Sequence, residues 1–286
     1  MSTFLQVILN GLLNGLLYAL IATGLSLIWG VMNVINFAHG EYLMVAMYLS
    51  YWLGFLLKVD PVISILAGGI FVFIIGALTY QLIIKYTIGK PPLSALLATF
   101  ALSMVLKNVC LNRFSPNFKL LSHTWLAGKT ITLGSIIVPL PQLATGILSL
   151  VIVGIVYVIM HNTRLGWAIQ ATAMDKEGAE LMGINTEGVY LLVFGIGGAC
   201  VGMAGGILPS YLAVHPDAGT LFCLIAFIIV TMGGFGSILG TFLAAIFIGL
   251  VEALSGFYIA PVIKYVAVFG IYLVVVMFRP RGLFGW

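Results

Sequence analysis

The sequence has very little charge. Asp, Glu, Lys and Arg make up 7% of its 286 residues, whereas a soluble domain contains about 25%. Hydrophobic residues make up 62% of the chain, and the mean hydropathy is +1.20. Because so few charged groups cannot cover a water-exposed surface, most of the surface must face membrane lipids. The composition therefore excludes a soluble protein and predicts an integral membrane protein.

Basic residues are equally few and widely spaced. The twelve Lys and Arg residues are scattered between apolar segments, and they form no basic stripe that could follow a phosphate backbone. The net charge of +4 therefore does not indicate a nucleic-acid partner.

Cysteine is scarce, and the chain has no metal-binding pattern. Cys110, Cys200 and Cys223 lie in apolar runs without metal-ligand spacing, so we interpret them as small buried hydrophobic residues outside any disulfide. The letters GKT at 128–130 end like a P-loop, but His123 occupies the required upstream glycine position and no strand precedes it. We expect neither a metal nor a nucleotide cofactor on this chain.

The chain also lacks a polar stretch long enough for a soluble domain, so we expect a single transmembrane domain over residues 1–286. Its N-terminus has no basic region, and its apolar run is longer than the roughly 7–15 residues of a signal-peptide core. The strand-like alternation of an outer-membrane barrel is missing. We therefore predict a multi-pass protein of an inner or plasma membrane.

Long apolar runs fill the chain. A membrane-spanning helix needs about 20 apolar residues, and candidates lie at residues 5–31, 42–57, 61–84, 93–111, 142–160, 189–214, 219–232, 238–257 and 262–278. The total is eight or nine, because the two short segments 42–57 and 219–232 can each be half of a broken or re-entrant helix. The predicted fold is all-α and polytopic. Nine crossings would place the N-terminus outside, and eight would place it inside.

A polar segment interrupts the first apolar stretch. The letters NFAHGEY at 36–42 place His39 and Glu41 at or beside a membrane-embedded segment, where an ionised side chain costs about 2.5 kcal/mol or more. Gly40 indicates a helix break, and irregular backbone at membrane depth is tolerated only where protein covers it or where it lines a wet cavity. The residues predicted to line or gate a substrate pathway here are Asn33, Asn36, His39 and Glu41.

Two other interpretations of His39 and Glu41 stay open. They can be the acid and base of an enzyme, or Glu41 can have a structural role by accepting backbone N–H groups at the start of the second span. Residues two apart on a helix do not face each other, which disfavours a catalytic pair.

Further charged residues lie near the later spans. Glu252 falls in the apolar run 238–257, where its carboxylate must be paired, hydrated or neutral; we predict a polar contact to another helix or a place on the substrate pathway. Asp217 follows His215 and Pro216 in a short connection, and we predict an ordinary loop acid. Arg279 and Arg281, with Trp286, are predicted to anchor the last span at the membrane surface.

Glycine is abundant, with 34 residues, and it recurs at helical spacing. Small-residue stripes let helix backbones approach closely in a membrane, so we predict helix packing within the chain, with a subunit interface as the alternative. The residues predicted for this role are Gly198, Gly202, Gly206, Gly236 and Gly240. Gly11 and Gly15 form a similar pair beside Asn10 and Asn14, whose amides we expect to bond another helix.

The largest polar connection is residues 163–187. Asp175 is a plausible N-cap, Glu177 falls in the first turn, and Gly183 fits the residue after a helix end. The pattern predicts a two-turn amphipathic helix over residues 176–182. Such a helix is either a solvated connector or a docking element for another protein.

Several motifs together resemble a known family. The pattern Glu177-Gly178-Ala179-x-x-x-Gly183 resembles the EAA loop of ABC importer permeases, with Gly178 in place of the usual second alanine. In chain order, INFAHGEY, TRLGWAIQATA, LMGIN, GGFGSILGT and RPRGLFG resemble the LivH-type permease of branched-chain amino acid ABC transporters. The resemblance covers nearly the whole chain and is specific as a set.

The resemblance implies an importer with several subunits. This chain would pair with a second, LivM-like permease, two ATPase subunits would bind ATP and Mg²⁺ below it, and a periplasmic or lipoprotein binding protein would deliver leucine, isoleucine or valine. The chain itself would not be an enzyme. The segment that would dock into the ATPase comprises Asp175, Lys176, Glu177, Gly178, Ala179, Glu180, Leu181, Met182 and Gly183.

Three alternatives remain from the sequence. A urea or short-chain amide permease of the same family would share nearly every motif. A channel or secondary transporter would explain acidic and imidazole groups in the membrane, but not the predicted docking helix. An intramembrane enzyme would need a convergent set of catalytic groups, for which His39, Glu41 and Glu252 are too few.

Overall fold

The structure is a computed structural model that describes residues 2–121, 124–126, 128–134, 136–280 and 282–284. Helices make up most of this part of the chain. The α-helices are α1 (Ser2–Met32), α2 (His39–Leu57), α3 (Pro61–Leu82), α4 (Pro92–Phe114), α5 (Leu140–Asn162), α6 (Arg164–Met174), α7 (Lys176–Leu181), α8 (Thr186–Ile207), α9 (Ala218–Gly233), α10 (Ile238–Tyr258) and α11 (Ile263–Phe278). Two short 3₁₀ turns, Ile84–Tyr86 and Leu208–Ser210, follow α3 and α8.

The helices account for the predicted membrane spans. Seven of the described helices are long and apolar enough to cross a membrane, which confirms an all-α polytopic membrane protein. Among them is α2, which extends the short predicted segment 42–57 to 19 residues. Two shorter apolar helices, α9 and α11, have 16 residues each, so long helices alone do not reach the predicted eight or nine.

Local sequence sets where several helices begin. The carboxylate of Asp60 accepts the N–H of Val62 at 2.9 Å, and Pro61 opens α3. Asn185 caps α8 in the same manner, and Ser237 caps α10. Each side chain satisfies a backbone N–H group that has no partner within its own helix.

A small hairpin departs from the predicted all-α fold. Strands β1 (Thr130–Leu133) and β2 (Ile136–Pro139) pair antiparallel, and their β-branched residues favour this conformation. The side chain of Gln6 binds the backbone of Ile137 twice: its amide nitrogen donates to the carbonyl oxygen at 2.7 Å, and its oxygen accepts the N–H at 2.8 Å. The hairpin therefore lies against the start of α1, and we call this end of the protein the hairpin side.

Close helix packing occurs where glycines meet. A Cβ atom on Gly198 would lie 2.7 Å from the carbonyl oxygen of Val72, and one on Gly206 would lie 2.7 Å from the Cα of Ile65. Gly202 meets the backbone of Gly68 in the same α3–α8 contact. These distances leave no room for a side chain, so α3 and α8 touch through their backbones.

The second predicted stripe takes a different form. Gly236 precedes α10 with φ +78°, so it is a loop residue that needs glycine's backbone freedom. Gly240 lies in the first turn of α10 against Gly233. The two residues therefore do not form the helical stripe that their spacing predicted. Gly11 and Gly15 instead pack against α10, where a Cβ on Gly15 would lie 2.9 Å from the Cα of Ile246.

The first and last thirds of the chain repeat one another in opposite orientation. The unit α1–α3 has the same order of elements as α8–α10, and α1 crosses α8 antiparallel, with Gly24 against Gly197. In each unit a long helix is followed by an irregular segment, residues 33–38 or 211–217, that leads into a second helix. The starts of these helices, α2 and α9, abut at Gly40 and Gly219. The chain thus contains an inverted repeat, a feature common in transporters.

Candidate functional site

The segment after α1 re-enters the protein interior. Asn33 is exposed and ends α1 with φ +53°, and its N–H donates to the carbonyl oxygen of Trp29 at 2.8 Å. Asn36 is buried, and its side-chain oxygen accepts the N–H of Ala38 at 3.1 Å. The structure therefore places Asn33 at a helix end and Asn36 in the turn that starts α2.

His39 and Glu41 both lie in the first turn of α2 and are buried. The Nε2 atom of His39 lies 2.9 Å from the carbonyl oxygen of Ile21, in the middle of α1. This contact shows that α2 begins well inside the protein. His39 is not among the described residues that line the main cavity.

Glu41 belongs to a cluster of three charged groups, which we call the central cluster. Its carboxylate lies within electrostatic range of Lys107 of α4 and Asp217 at the start of α9 and interacts with the hydroxyl group of Thr220, while its Oε2 atom has no hydrogen-bond partner among the described residues. Lys107 and Asp217 form an ion pair. The central cluster thus joins the two helix starts to α4. Sequence reasoning missed Lys107, although a single lysine inside the apolar run 93–111 was an available signal.

Next to the central cluster lies the main cavity of the protein, with a volume of about 800 Å³. Asp217 and Thr220 lie on its wall, together with Leu17, Leu221 and Phe222. It reaches the hairpin side, where Phe118 and Gln142 line it. Asp217, predicted as a loop acid, is therefore both part of an ion pair and a wall residue of a cavity.

A second charged group, the wall pair, consists of Glu252 of α10 and Lys264 of α11, and it also lines the main cavity. The Nζ atom of Lys264 lies 2.8 Å from one carboxylate oxygen of Glu252, and the hydroxyl group of Tyr18 donates to the other oxygen at 2.6 Å. The Glu252 side chain is 6% exposed and that of Lys264 is 32% exposed. Sequence reasoning selected Glu252 but missed Lys264 and Tyr18.

The 163–187 connection forms α6 and α7, and we call its end of the protein the α7 side. The carboxylate of Asp175 accepts the N–H of Gly178 at 3.1 Å, and Gly183 follows the helix with φ +81°. The helix covers Lys176–Leu181, one residue less than predicted. A Cβ atom on Gly178 would lie 2.7 Å from a carboxylate oxygen of Asp175, so glycine leaves room for this cap.

Apolar side chains project from this connection. Leu181 is 89% exposed and Met182 is 83% exposed, although α7 lies outside the helices that qualify as membrane spans. Beside α6 a groove of about 620 Å³ is lined by Tyr157, Gln170, Met174 and residues 236–239. Leu181 and Met182 therefore form an exposed apolar surface at the α7 side.

Nothing in the described residues suggests a metal centre, since no group of three His, Cys, Asp or Glu side chains comes together there. Thr130 of the GKT letters begins strand β1, not a helix. His123, Arg281 and Trp286, which entered the sequence predictions, lie outside the described residues. Arg279 follows the last turn of α11, where its N–H donates to the carbonyl oxygen of Val275 at 2.7 Å.

An inverted repeat of helices around a cavity with charged groups on its wall is the architecture of a multi-pass membrane transport protein. Residues 7–277 match the family described as "Branched-chain amino acid transport system / permease component", and this chain belongs to that family.

Characterised relatives cover almost the full length. The chain is 31% identical to the high-affinity branched-chain amino acid transport system permease protein LivH of Salmonella typhimurium and to that of Escherichia coli. It is 30% identical to the permease protein BraD of Pseudomonas aeruginosa. Each alignment covers 99% of this chain and 96% of the relative.

A solved structure is similar in fold alone. PsaBC from Streptococcus pneumoniae, in complex with a Fab, matches with a TM-score of 0.50 and 13% sequence identity over 98% of this chain and 94% of that one. The family identifies the chain as a permease component of a transport system.

Proposed function

We propose that this chain is the membrane permease subunit of an ATP-binding-cassette importer for leucine, isoleucine, valine or a closely related amino acid. The family and its named relatives support this substrate class. The main structural support for this proposal is the main cavity. Its largely apolar wall contains charges of both signs in Asp217, Glu252 and Lys264. A hydrophobic amino acid needs an apolar surface and a few polar groups for its charged ends.

Competing functions fit this cavity less well. Urea and short-chain amides have no large apolar group to place against Leu17, Leu221 and Phe222. A channel or secondary transporter needs no partner at the α7 side, where Leu181 and Met182 are exposed to water.

Transport would proceed by alternating access, in which this permease and its partner permease rock to switch the side that the central cavity faces. ATP binding on separate subunits would move α7. The motion would reach α8 directly where the hydroxyl group of Thr186 donates to Glu180 at 2.6 Å. It would also reach the connection before α8, where the N–H of Ile184 donates to the carbonyl oxygen of Ala179 at 3.0 Å. α8 in turn packs against α3 through backbone contacts, so displacement of one helix carries the other.

A nine-span topology belongs to the same proposal. The irregular segments 33–38 and 211–217 would complete the crossings that α2 and α9 begin in the interior, and α11 would add a ninth. Nine crossings would put the hairpin side and the α7 side on opposite faces of the membrane. Because the ATPases would dock at α7, the α7 side would lie in the cytoplasm of a bacterial cell and the hairpin side outside its inner membrane. The gate and pathway roles of Asn33, Asn36, His39, Glu41 and Glu252 belong to this proposal.

The complete importer would contain a second permease of related sequence, two ATPases that bind ATP and Mg²⁺, and an external substrate-binding protein. The residues Asp175–Gly183 would form the ATPase contact through α7, the preceding Asp175, and the following Met182 and Gly183. Exposed Leu181 and Met182 supply the apolar area for this docking, and membrane lipids would cover the exposed apolar faces of the spans.

The proposal is tested by purifying the complex from native membranes and reconstituting it in vesicles with its binding protein. We expect a second permease and two ATPases to co-purify, and ATP to drive L-leucine uptake. The Leu181→Asp and Glu177→Ala variants should insert normally but lose this uptake. Leu120→Asp is the matched control, because Leu120 is 70% exposed on the hairpin side. Uptake without ATPases, or normal uptake by Leu181→Asp, would contradict the proposal.

A further inference from the structure

The wall pair of Glu252 and Lys264 lies between two cavities. The main cavity is on one side, and a smaller cavity of about 280 Å³ is on the other. Both cavities are lined by Glu252, Lys264 and Asn14. The smaller cavity continues toward the hairpin side past Asn10 and Pro261. The wall pair therefore forms part of the wall of both spaces.

Each member of the wall pair keeps unused hydrogen-bonding capacity. The Glu252 carboxylate has about four lone-pair sites, of which Lys264 and the hydroxyl group of Tyr18 occupy two. The Lys264 ammonium has three N–H donors; it donates to Glu252 and lies over the ring of Tyr265, 4.5 Å from the ring centre. The Lys264 side chain is the more exposed of the two. The hydrogen bond from Tyr18 of the neighbouring helix α1 fixes the position of the Glu252 carboxylate.

We propose that the wall pair is the recognition site for the charged ends of a free amino acid. The Glu252 carboxylate takes the α-ammonium group, and the Lys264 ammonium takes the α-carboxylate. The aliphatic side chain then lies against Leu17, Leu221 and Phe222 in the main cavity. This proposal rests on the proposed function and specifies where that function recognises its substrate.

Charge balance explains why a zwitterion suits this place. The wall pair is neutral as a unit, and a zwitterion is also neutral, so binding exchanges one set of ionic contacts for another without burying net charge. An anion or a cation alone would leave one member of the wall pair facing a like charge in a partly buried site, which is unfavourable. The site therefore selects amino acids over amines, carboxylic acids and neutral amides that have the same side chain.

The alternative is that the wall pair only fastens α11 to α10. The two roles differ in the behaviour of a doubly neutral variant. If each charge serves only to neutralise the other, Glu252→Gln or Lys264→Met alone leaves a buried charge unpaired and lowers uptake. The double variant then recovers L-leucine uptake, because neither charge remains. If the charges bind the zwitterion, the double variant stays as inactive as the single ones.

The test uses the complete complex in vesicles with L-leucine as the probe, and uptake is expressed per assembled complex. We expect both single variants and the double variant to lose at least about tenfold in uptake, the effect of removing a charge-assisted hydrogen bond. Lys264→Arg, which keeps the charge, should retain more uptake than Lys264→Met. The double variant Lys85→Met/Glu187→Gln is the control, since it removes an ion pair of the same 2.8 Å length on the α7 side.

The outcomes separate this inference from the proposed function. Recovery of L-leucine uptake in the double variant, or equal loss in the control, would overturn the wall pair's role while leaving the importer intact. A wild-type complex that takes up no L-leucine with ATP would overturn the proposed function and this inference together. Reduced competition by isovaleramide and isoamylamine compared with L-leucine at the wild-type complex would support zwitterion selection.

Discussion

The two helix starts that meet inside the protein have matching backbone arrangements but different surroundings. At the start of α2, His39 and Glu41 are buried among protein groups. At the start of α9, the side chain of Asp217 is 65% exposed, and Thr220 lines the main cavity. One repeat unit therefore fills the interior at this level, whereas its inverted counterpart borders the space through which a solute can move.

This difference indicates a division of labour between the repeat units. The α2 start is tied to α1 by His39 and to its own turn by Asn36, so it forms a fixed support. Among the described side-chain contacts between the α9 start and α4, the only ion pair is that of Asp217 and Lys107. The two repeat units share one backbone arrangement. A few polar residues that differ between them make the α2 start a fixed support and leave the α9 start accessible.

The largest expected loss of stability comes from substitutions that push the starts of α2 and α9 apart. A Cβ atom on Gly40 would lie 2.6 Å from the Cβ of Cys223, and one on Gly219 would lie 2.6 Å from the carbonyl carbon of Gly40. Gly40→Val and Gly219→Val should each cost about 3 kcal/mol or more, because the backbones must move apart. The measurement is the yield of monodisperse protein in detergent and its melting temperature.

Two matched controls exist for this prediction. Gly154 in α5 and Gly270 in α11 have no atom within 4 Å of an added Cβ. Gly154→Val and Gly270→Val should therefore give nearly wild-type yield. Equal yields for all four variants would show that the contact between the helix starts does not hold the units together.

A smaller but still large effect is expected from Lys107→Met. The substitution removes the cation that faces both Glu41 and Asp217, and leaving a partly buried charge without its partner costs about 1–3 kcal/mol. We expect a lower melting temperature and a loss of L-leucine uptake. Lys85→Met is the control, because its ion pair with Glu187 is exposed and such pairs contribute about 0–1 kcal/mol. An equal decrease for both variants would contradict the special role of Lys107.

The all-α membrane architecture could largely be predicted from the sequence, because composition and the length of apolar runs determine membrane helices independently of their tertiary partners. Few charges and long apolar runs predict membrane helices whatever their partners, and the capping residue Asp175 predicts the start of α7 in the same local way. The hairpin at residues 130–139 was missed because its strands have only four residues each, and short runs carry little periodic signal.

The candidate site was only partly readable, for a physical reason. Glu41 and Glu252 could be selected because an acid in an apolar run is costly by itself. Lys107 comes from α4 and pairs with Asp217 beside Glu41. Lys264 comes from α11 and pairs with Glu252, and only tertiary packing brings the two lysines to these acids. The lone lysines were visible as single residues, but no local rule assigns Lys107 to Asp217 or Lys264 to Glu252.

Neutralising the two acids of the central cluster separately tests whether the two helix starts contribute differently to uptake. Glu41→Gln acts at the buried helix start, whereas Asp217→Asn acts at the exposed one, where solvent already weakens the ion pair to about 0.2–1 kcal/mol. We expect Glu41→Gln to lower L-leucine uptake per complex several-fold with normal assembly, and Asp217→Asn to lower it less. Equal effects, or a larger effect of Asp217→Asn, would reverse the assignment of fixed and accessible units.

The smallest expected effect concerns Asn33, which ends α1 on the fixed side. Its φ of +53° suits asparagine and glycine but costs other residues roughly 1 kcal/mol. If Asn33 acts as a helix end, Asn33→Gly should keep both stability and uptake, and Asn33→Ala should lower the melting temperature slightly while keeping uptake per complex. If its amide instead touches the substrate, both variants lose uptake, because neither retains a polar group. The glycine variant therefore separates the two roles, since it preserves the backbone and removes only the amide.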